Sequence, residues 1–384
     1  MNQWNIAEGK NGPLSLLLAE SKEKGANRQE RYPQHRFFGL CCSYFPEELV
    51  MAFGLEPLRM LPKSETATPA ELPSFSCSLA RGLWDMEKGN QWRDLVGIGF
   101  VHTCDTMQCL SGIWEFAGQT KNITIVPPVM LKAAGGFEYY KKEVEGAWEG
   151  LKSLTGENPP LEKLREAMVL CQKIREQVQK LDKIRPFLPS FLVPAILRAG
   201  QLMPKEQYLE ILKEIIPQLE EETSHSGQRV KVMITGAVLE SDSLYNMIEE
   251  LGGRVVADDT CTGSRHFSGD YQESKDPFTD LVERYVKMDP CPCKNKSLNE
   301  RIDLVKETAL KNEAEGVIIL IRKFCEPHAW DAVSLEESLQ KAGLRTFVLE
   351  LDGSEAAGQE RTRLQAFIES IQEQRDTEKG GGFQ

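Results

Sequence analysis

The sequence predicts an α/β protein with two Rossmann-like or flavodoxin-like parallel-sheet domains and a helical region that connects them. Its 384 residues, 41% of them apolar, are enough for two or three domains with buried cores. Short apolar runs of strand length alternate with helical patterns in two separate stretches, as they do in parallel sheets. Ligands of such sheets gather at the carboxyl ends of the strands. We therefore expect a functional site in the cleft between the two domains.

The first part of the chain contains an arm and the first α/β domain. Residues 1–36 are polar, apart from an apolar patch at 14–18 that predicts one helix. We assign 37–134 to the first domain. Pro46 and the two acids after it predict a helix start, because proline fits the first turn and acids there complement the helix dipole. The strand candidates of this domain are 37–40, 95–103 and 123–129.

The rest of the chain contains a helical connection and the second α/β domain. The connection, 135–228, has apolar residues at helical spacing in LEKLREAMVLCQKIREQVQKL and in QYLEILKEIIPQLEEE. The second domain, 229–376, includes a predicted helix that glycine closes, LYNMIEELGG. Its strand candidates are VKVMITGAVL, RVVADD, EGVIILIRKF and RTFVLELD. The glycine-rich end, 377–384, predicts a flexible tail.

Charge and composition exclude several classes of function. Lysine and arginine total 46 against 58 acids, a net charge of -12, whereas nucleic-acid binding depends on clustered positive charge. No run approaches the roughly 18 apolar residues of a membrane helix, and the N-terminus lacks the pattern of a secretory signal. We expect a cytoplasmic protein with neither nucleic acid nor membrane as a partner. In reducing cytosol, its ten cysteines are more often metal ligands, redox groups or core residues than disulfides.

Several cysteines directly follow strand-like runs. The pair Cys41 and Cys42 follows FFGL, Cys104 follows VGIGFVHT, Cys261 follows RVVADDT and Cys325 follows GVIILIRKF. Because the carboxyl ends of parallel strands meet at one crevice, thiols from distant parts of the sequence converge there. Soft thiolates brought together favour iron-sulfur chemistry.

Other cysteines lie in contexts that suit a metal ligand. Cys77, in SFSCSLARG, stands beside a predicted helix start, which lowers the pKa of a thiol. Cys109 follows Cys104 by five residues, about one and a half helical turns, so both can touch one cluster from different faces. In PCPC the prolines hold an extended backbone that points Cys291 and Cys293 to the same side. A buried structural cysteine is the alternative for each.

Three further patterns are less specific. Neighbouring residues of an extended chain point to opposite faces, so only one of Cys41 and Cys42 should reach a shared site. Cys171 lies in an amphipathic helical segment and is assigned to the core. The segment DDTCTGSR, 258–265, either holds a ligand or forms an Asx turn with a salt bridge.

Three residues are candidates for donating protons to such a site. His102 points to the same strand side as Cys104, and His328 follows Cys325 by three residues. Glu47 can reach a substrate from the CCSYFPEE turn. The alternatives are a structural histidine in each case and an acid that only complements a helix dipole.

Motifs along nearly the whole chain resemble those of the 2-hydroxyacyl-CoA dehydratase and benzoyl-CoA reductase subunits. The resemblance implies an iron-sulfur cluster held by three cysteines, which match Cys77, Cys104 and Cys325, and a separate ATP-hydrolysing activator that supplies electrons. The motifs are CCSYFPEELVMAFG, SFSCSLARG, TCDTMQCLSGIWE, GGRVVADDTCTGSR, DPCPCKNKSLNERID, VIILIRKFCEPH and ERTRLQAFIE.

The extra thiols resemble the double-cubane branch of that family. There, an [8Fe-9S] cluster of two bridged cubanes requires six protein thiolates, and we expect it in the cleft between the domains. The reserves for a ligand position are Cys41, Cys261 and Cys291. The six expected ligands are Cys42, Cys77, Cys104, Cys109, Cys293 and Cys325.

The partners follow from the same resemblance. The chain has neither a GxxxxGK[ST] phosphate loop nor a GxGxxG fingerprint, so ATP should bind a partner, an activator that carries its own [4Fe-4S] cluster. The predicted function is ATP-dependent, through this partner, reduction of a small unsaturated molecule, and a homodimer is expected. The alternatives are a 2-hydroxyacyl-CoA dehydratase subunit with a [4Fe-4S] cluster, a non-catalytic electron carrier and, less favoured, a structural zinc protein.

Overall fold

The computed structural model describes most of the chain, and its strands form two separate sheets. Each sheet has four strands, all parallel, with helices around them. The predicted α/β class with two parallel-sheet domains is thereby confirmed. The described residues are 12–23, 28–62, 70–128, 130, 132–221, 229–293, 297–353 and 358–380.

The first sheet has the strand order β2-β1-β3-β4. All four residues of β1 and of β3 are buried, because these are the two central strands. The sequence did not predict β2, whose Pro57 argues against a strand; an edge position tolerates it, since an edge strand leaves one side unpaired. The strands are β1 (Phe37–Leu40), β2 (Glu56–Arg59), β3 (Ile98–Val101) and β4 (Asn122–Ile125).

The second sheet repeats this topology, with the order β6-β5-β7-β8. Each of its four predicted strands is present, with bounds that differ from the prediction by a few residues. Every residue of β6 and β7 is buried, as expected for strands covered on both faces. The strands are β5 (Val230–Gly236), β6 (Gly253–Asp259), β7 (Gly316–Arg322) and β8 (Arg345–Leu351).

Helices cover both sheets. In the first half they are α1 (Pro13–Glu23), α2 (Arg28–Arg31), α3 (Glu47–Ala52), α4 (Ser78–Lys88), α5 (Asp105–Ala117), α6 (Gly136–Thr155), α7 (Leu161–Ile184), α8 (Leu192–Ala199) and α9 (Lys205–Glu221). In the second half they are α10 (Ser243–Glu250), α11 (Pro277–Lys287), α12 (Leu298–Lys311), α13 (Glu326–Lys341) and α14 (Gly358–Gly380). None of the helices within these described ranges is long and apolar enough to cross a bilayer.

The helices of the connection pack on the first sheet. Residues of α6 and α7 share a core with β1 and β4 on one face, and α8 and α9 share a core with β3 on the other. Helix α11, from the second half of the sequence, joins the first of these cores through Leu281, Val282 and Tyr285. The second sheet has its own cores, with α10 and α14 on one face and α12 and α13 on the other.

The predicted domain limits stay predictions, although several elements bear on them. The apolar patch at 14–18 lies in α1, as the arm prediction expects, and α1 packs against α8. Helix α14 continues to Gly380 and so includes the start of the predicted tail, 377–384; residues 381–384 lie outside the described residues. Residue 129, the last of a predicted strand, also lies outside them, and β4 ends at Ile125.

Candidate functional site

The repeated strand order places the switch points of the two sheets at their central strands. In each sheet the chain leaves the first strand toward one edge and returns on its other side, between β1 and β3 and between β5 and β7. Ligands of open parallel sheets bind at such points, beyond the carboxyl ends of the strands. Cys42 follows β1, Cys104 follows β3, and Cys325 follows β7. The strand-end cysteines predicted from the sequence therefore lie at both switch points.

Three of the predicted ligands are the N-cap residues of helices. Cys77 caps α4, Cys104 caps α5 and Cys325 caps α13, and none of the three uses its side chain to cap the helix. The backbone amides of Thr106 and Met107 act to lower the pKa of the Cys104 thiol, against the larger effect of burial. Helix N-termini present amide hydrogens and positive potential, which stabilise thiolates. These positions suit sulfur ligands of a metal.

Seven cysteines form one assembly across the cleft, which we call the thiol group. Cys104 interacts electrostatically with Cys77 and Cys42, and Cys293 with Cys104 and Cys325. Cys291 interacts with its neighbours Cys261 and Cys293. Cys42 and Cys104 follow strands of the first sheet, and Cys261 and Cys325 follow strands of the second, so neither sheet holds the group alone. The members of the group are Cys42, Cys77, Cys104, Cys261, Cys291, Cys293 and Cys325.

The remaining three cysteines are not counted in the thiol group, although Cys41 interacts with its neighbour Cys42. Cys109 is exposed on α5. Cys41 is buried, with its Sγ 3.7 Å from Met60 Sδ, so Cys42 is the member of that pair that joins the group. Cys171 is buried on α7. The geometry thus brings together five of the six expected ligands and two of the three reserves.

The thiol group supplies soft sulfur donors, which is the donor type that iron-sulfur clusters bind. No three Cys, His, Asp or Glu side chains of the described residues are arranged to hold a single metal ion. The chemistry of the donors therefore fits such a cluster, whereas their arrangement is not that of a mononuclear site.

Burial keeps the thiols of Cys104 and Cys325 protonated when no metal is bound. It raises the pKa of Cys104 to about 11 and that of Cys325 to about 12, although backbone amides act in the opposite direction. Metal ligands must be deprotonated, so binding would release protons. A metal ion supplies the charge that stabilises buried thiolates.

Two buried arginines face the thiol group. Arg265 Nη1 donates to Cys261 Sγ at 3.3 Å, and its Nε donates to Asp259 at 2.9 Å. Arg59, the last residue of β2, interacts electrostatically with Cys42 and Cys261. Sequence reasoning noticed Arg265 but missed Arg59. The signal was a charged residue inside the apolar run PLRML.

The histidines predicted as proton donors lie in different surroundings. Nδ1 of His328 is 3.1 Å from Cys325 Sγ, and burial together with nearby arginines lowers its pKa to about 3, which leaves the ring neutral. A neutral imidazole can donate one hydrogen bond to sulfur. His102 is only partly buried, and its Nε2 is 2.6 Å from Ser111 Oγ.

Glu47 is buried in an ion pair and does not lie open to a substrate. Lys205 Nζ is 2.7 Å from its carboxylate. Although burial alone would raise it, Lys205 and then His266 hold the pKa of Glu47 well below its usual value. His266 Nδ1 is 3.0 Å from Ser43 Oγ, beside Cys42. Glu47 therefore fits a role in positioning this loop better than a role as an acid.

The comparison with protein families shows to which family the chain belongs. Residues 42–371 match the family model described as 2-hydroxyglutaryl-CoA dehydratase, D-component. The chain belongs to this D-component family. The resemblance inferred from its motifs is confirmed, and members of the family act as dehydratases or reductases.

Relatives of the D-component family cover the chain almost end to end. The β subunit of (R)-2-hydroxyglutaryl-CoA dehydratase from Acidaminococcus fermentans is 26% identical, over 93% of this chain and 100% of the relative. The β subunit of lactoyl-CoA dehydratase from Anaerotignum propionicum is 23% identical, over 93% and 99%. A benzoyl-CoA reductase subunit from Thauera aromatica is 25% identical, over 81% and 84%.

Proposed function

We propose that this protein is an iron-sulfur reductase that holds a double-cubane [8Fe-9S] cluster in the cleft and reduces small unsaturated molecules. Low-potential electrons would come from a separate ATP-hydrolysing activator with its own [4Fe-4S] cluster. The observation that carries this proposal is the size of the thiol group, because seven thiols exceed the three that one cubane would need from this chain. When bound, such a cluster supplies electron transfer at low potential.

The protein's own residues would hold and shield the cluster. The N-termini of α4, α5 and α13 direct backbone amides at Cys77, Cys104 and Cys325. His328 holds a neutral ring beside Cys325. Partly exposed His102 remains our proposed proton donor. Glu47 also remains in the proposal, as a residue that positions its loop through contacts with Lys205 and His266.

The sixth ligand is the part of the proposal that the geometry changes. The sequence favours Cys109, but this cysteine is exposed and outside the thiol group. Cys261 and Cys291 belong to the group. We therefore propose that the six ligands are drawn from the seven members of the thiol group, with Cys261 or Cys291 in place of Cys109.

The same proposal includes a cytoplasmic location and a homodimer. All ten cysteines are free thiols, which suits the reducing cytoplasm. A homodimer is proposed because the helical region carries exposed apolar side chains, among them Leu161 and Val169 on α7. Light scattering of the purified protein tests it, and a monomeric mass would rule it out.

Metal analysis tests the cluster. We would purify the protein without oxygen, measure iron and acid-labile sulfide per chain, and record EPR spectra after reduction. About eight irons with slightly more sulfide than iron is the expected result. ATP-dependent reduction of a small substrate by the activator and this chain alone would then establish the reductase. Iron without any turnover would instead indicate a non-catalytic electron carrier.

A second candidate is a subunit of a 2-hydroxyacyl-CoA dehydratase with one [4Fe-4S] cluster. It is favoured by the dehydratase β subunits among the relatives. About four irons per chain, binding of a CoA ester and a requirement for a second, different subunit would support it.

A further inference from the structure

In the part of the chain that the structure describes, Arg59 is a buried cation without a carboxylate partner. Its side chain ends β2 and is 5% exposed. Among the described residues, no carboxylate forms a salt bridge with it, and its Nε and Nη1 have no hydrogen-bond partner. Two other buried arginines do have a carboxylate partner, since Arg265 pairs with Asp259 and Arg175 with Glu48, while buried Arg284 instead donates to the carbonyl of His266. A buried, unpaired charge is costly, so its retention requires an explanation.

The surroundings of Arg59 indicate where the missing negative charge would come from. The guanidinium interacts electrostatically with three cysteines, Cys41, Cys42 and Cys261, and the Sδ of the next residue, Met60, lies 3.7 Å from Cys41 Sγ. Two of these, Cys42 and Cys261, belong to the thiol group and come from opposite halves of the molecule. As neutral thiols they offer the arginine little compensation. As thiolates of a cluster they would bring several negative charges to the same place.

We propose that Arg59 is a positioning residue that compensates the negative charge of the cluster in the thiol group and raises its reduction potential. This inference rests on the proposed iron-sulfur function. Each electron that enters a cluster adds a negative charge, and a cation held nearby in a medium of low dielectric constant stabilises the reduced form more than the oxidised one. Arg265 is less suited to this role because Asp259 neutralises it.

The proposal predicts opposite effects of one substitution in the two states of the protein. In the metal-free protein, R59M removes an unpaired buried charge and replaces it with an apolar side chain. We expect the melting temperature to rise by about 1–5 °C. In the loaded protein, R59M removes the compensating charge, and we expect the equilibrium constant for one-electron reduction to fall at least tenfold, which is about 59 mV toward negative potential.

The experiment compares four proteins in anaerobic redox titrations followed by EPR and in thermal melts after chelation. They are the wild type, R59M, R59K and the matched control R36M, which makes the same change at an exposed residue just before β1. We expect R59K to keep the potential of the wild type and R36M to change neither quantity. Because the metal-free melt needs no cluster, it remains decisive if R59M does not load.

Several results would overturn the inference. A metal-free R59M protein that melts below the wild type, or fails to fold, would make Arg59 a structural residue. An R59M cluster with the potential of the wild type, or an equal shift in R59K, would show that the charge does not matter. If the wild type itself takes up no iron after reconstitution, the proposed function fails, whereas the metal-free melts still report on Arg59 separately.

Discussion

Cys109 and Cys261 make the sharpest comparison between single residues. Cys109 is exposed on α5, whereas Cys261 accepts a hydrogen bond from Arg265 and lies in the thiol group. We expect C261S to lower the iron content by at least one quarter and C109S to leave it at the value of the wild type. Iron and sulfide analysis of the two variants provides the test. Loss of iron in C109S alone would restore Cys109 as the sixth ligand.

Buried thiols also predict how the metal-free protein responds to pH. An unfolded cysteine has a pKa of about 8.5, whereas burial raises that of Cys104 to about 11 and that of Cys325 to about 12. Above pH 8.5 the unfolded chain therefore binds fewer protons than the folded one. The stabilising contribution of these thiols is complete below that pH and is lost as the pH rises toward 11–12.

Thermal melts of the chelated protein between pH 7.5 and 10.5 measure this loss. Other groups titrate in the same range, so the informative quantity is the difference from the double variant C104S/C325S. We expect the melting temperature of the variant to fall less steeply with pH. Parallel curves for the two proteins would mean that folding does not shift the pKa of these thiols.

At the scale of elements, Gly236 fixes the switch point of the second sheet. It ends β5 with φ at 138°, and a Cβ there would lie 2.1 Å from the carbonyl oxygen of Leu320 in β7. G236A must therefore strain the backbone and separate β5 from β7, which we expect to cost about 2–4 kcal/mol.

Gly146 provides the control, because a Cβ there meets nothing within 4 Å on the exposed side of α6. We expect G146A to stabilise the protein by about 0.5–1 kcal/mol. Urea unfolding of both variants measures these free energies. A G236A variant as stable as the wild type would show that the strand pair tolerates the extra methyl.

The strands and helices differ in how well the sequence predicts the site that they carry. Runs such as GVIILIR are apolar throughout and belong only in a covered parallel strand, so the positions of Cys104 and Cys325 followed from them. The short run EPLR gave no such signal, and with it Arg59 was missed. Cys109 stays a prediction as a ligand; five helical residues after Cys104 place it about 140° beyond one full turn, and its side chain is exposed on α5.

Long-range packing was also beyond the sequence. The stripe of Leu281, Val282 and Tyr285 identifies α11 as amphipathic but says nothing about which sheet it covers. It packs on the first half, where Tyr285 donates to Glu48 at 2.9 Å. Which sheet a helix packs on depends on the whole fold, because the apolar face of a helix can pack equally well on several apolar surfaces.

At the scale of the whole molecule, the link between α4 and the second sheet holds Cys77 in place. Arg322, the last residue of β7, donates to Ser78 Oγ at 2.6 Å and also pairs with buried Glu240. We expect S78A to weaken this link and to lower iron content, with a loss of about 1.5–3 kcal/mol in stability, since one partner is charged. The exposed Ser153 on α6 is the control, and S153A should change neither quantity. If S78A and S153A hold equal amounts of iron, the link between Arg322 and Ser78 is not what keeps Cys77 in place.

The division of the thiol group between the two halves gives the cleft a mechanical property. Moving the two sheets apart would separate Cys42 and Cys104, which follow strands of the first sheet, from Cys325, which follows β7 of the second. A ligand bound to both sets would resist this separation, since it favours the state in which both sets are together by mass action. A bound cluster would thus add stability between the two sheets that the fold alone does not supply.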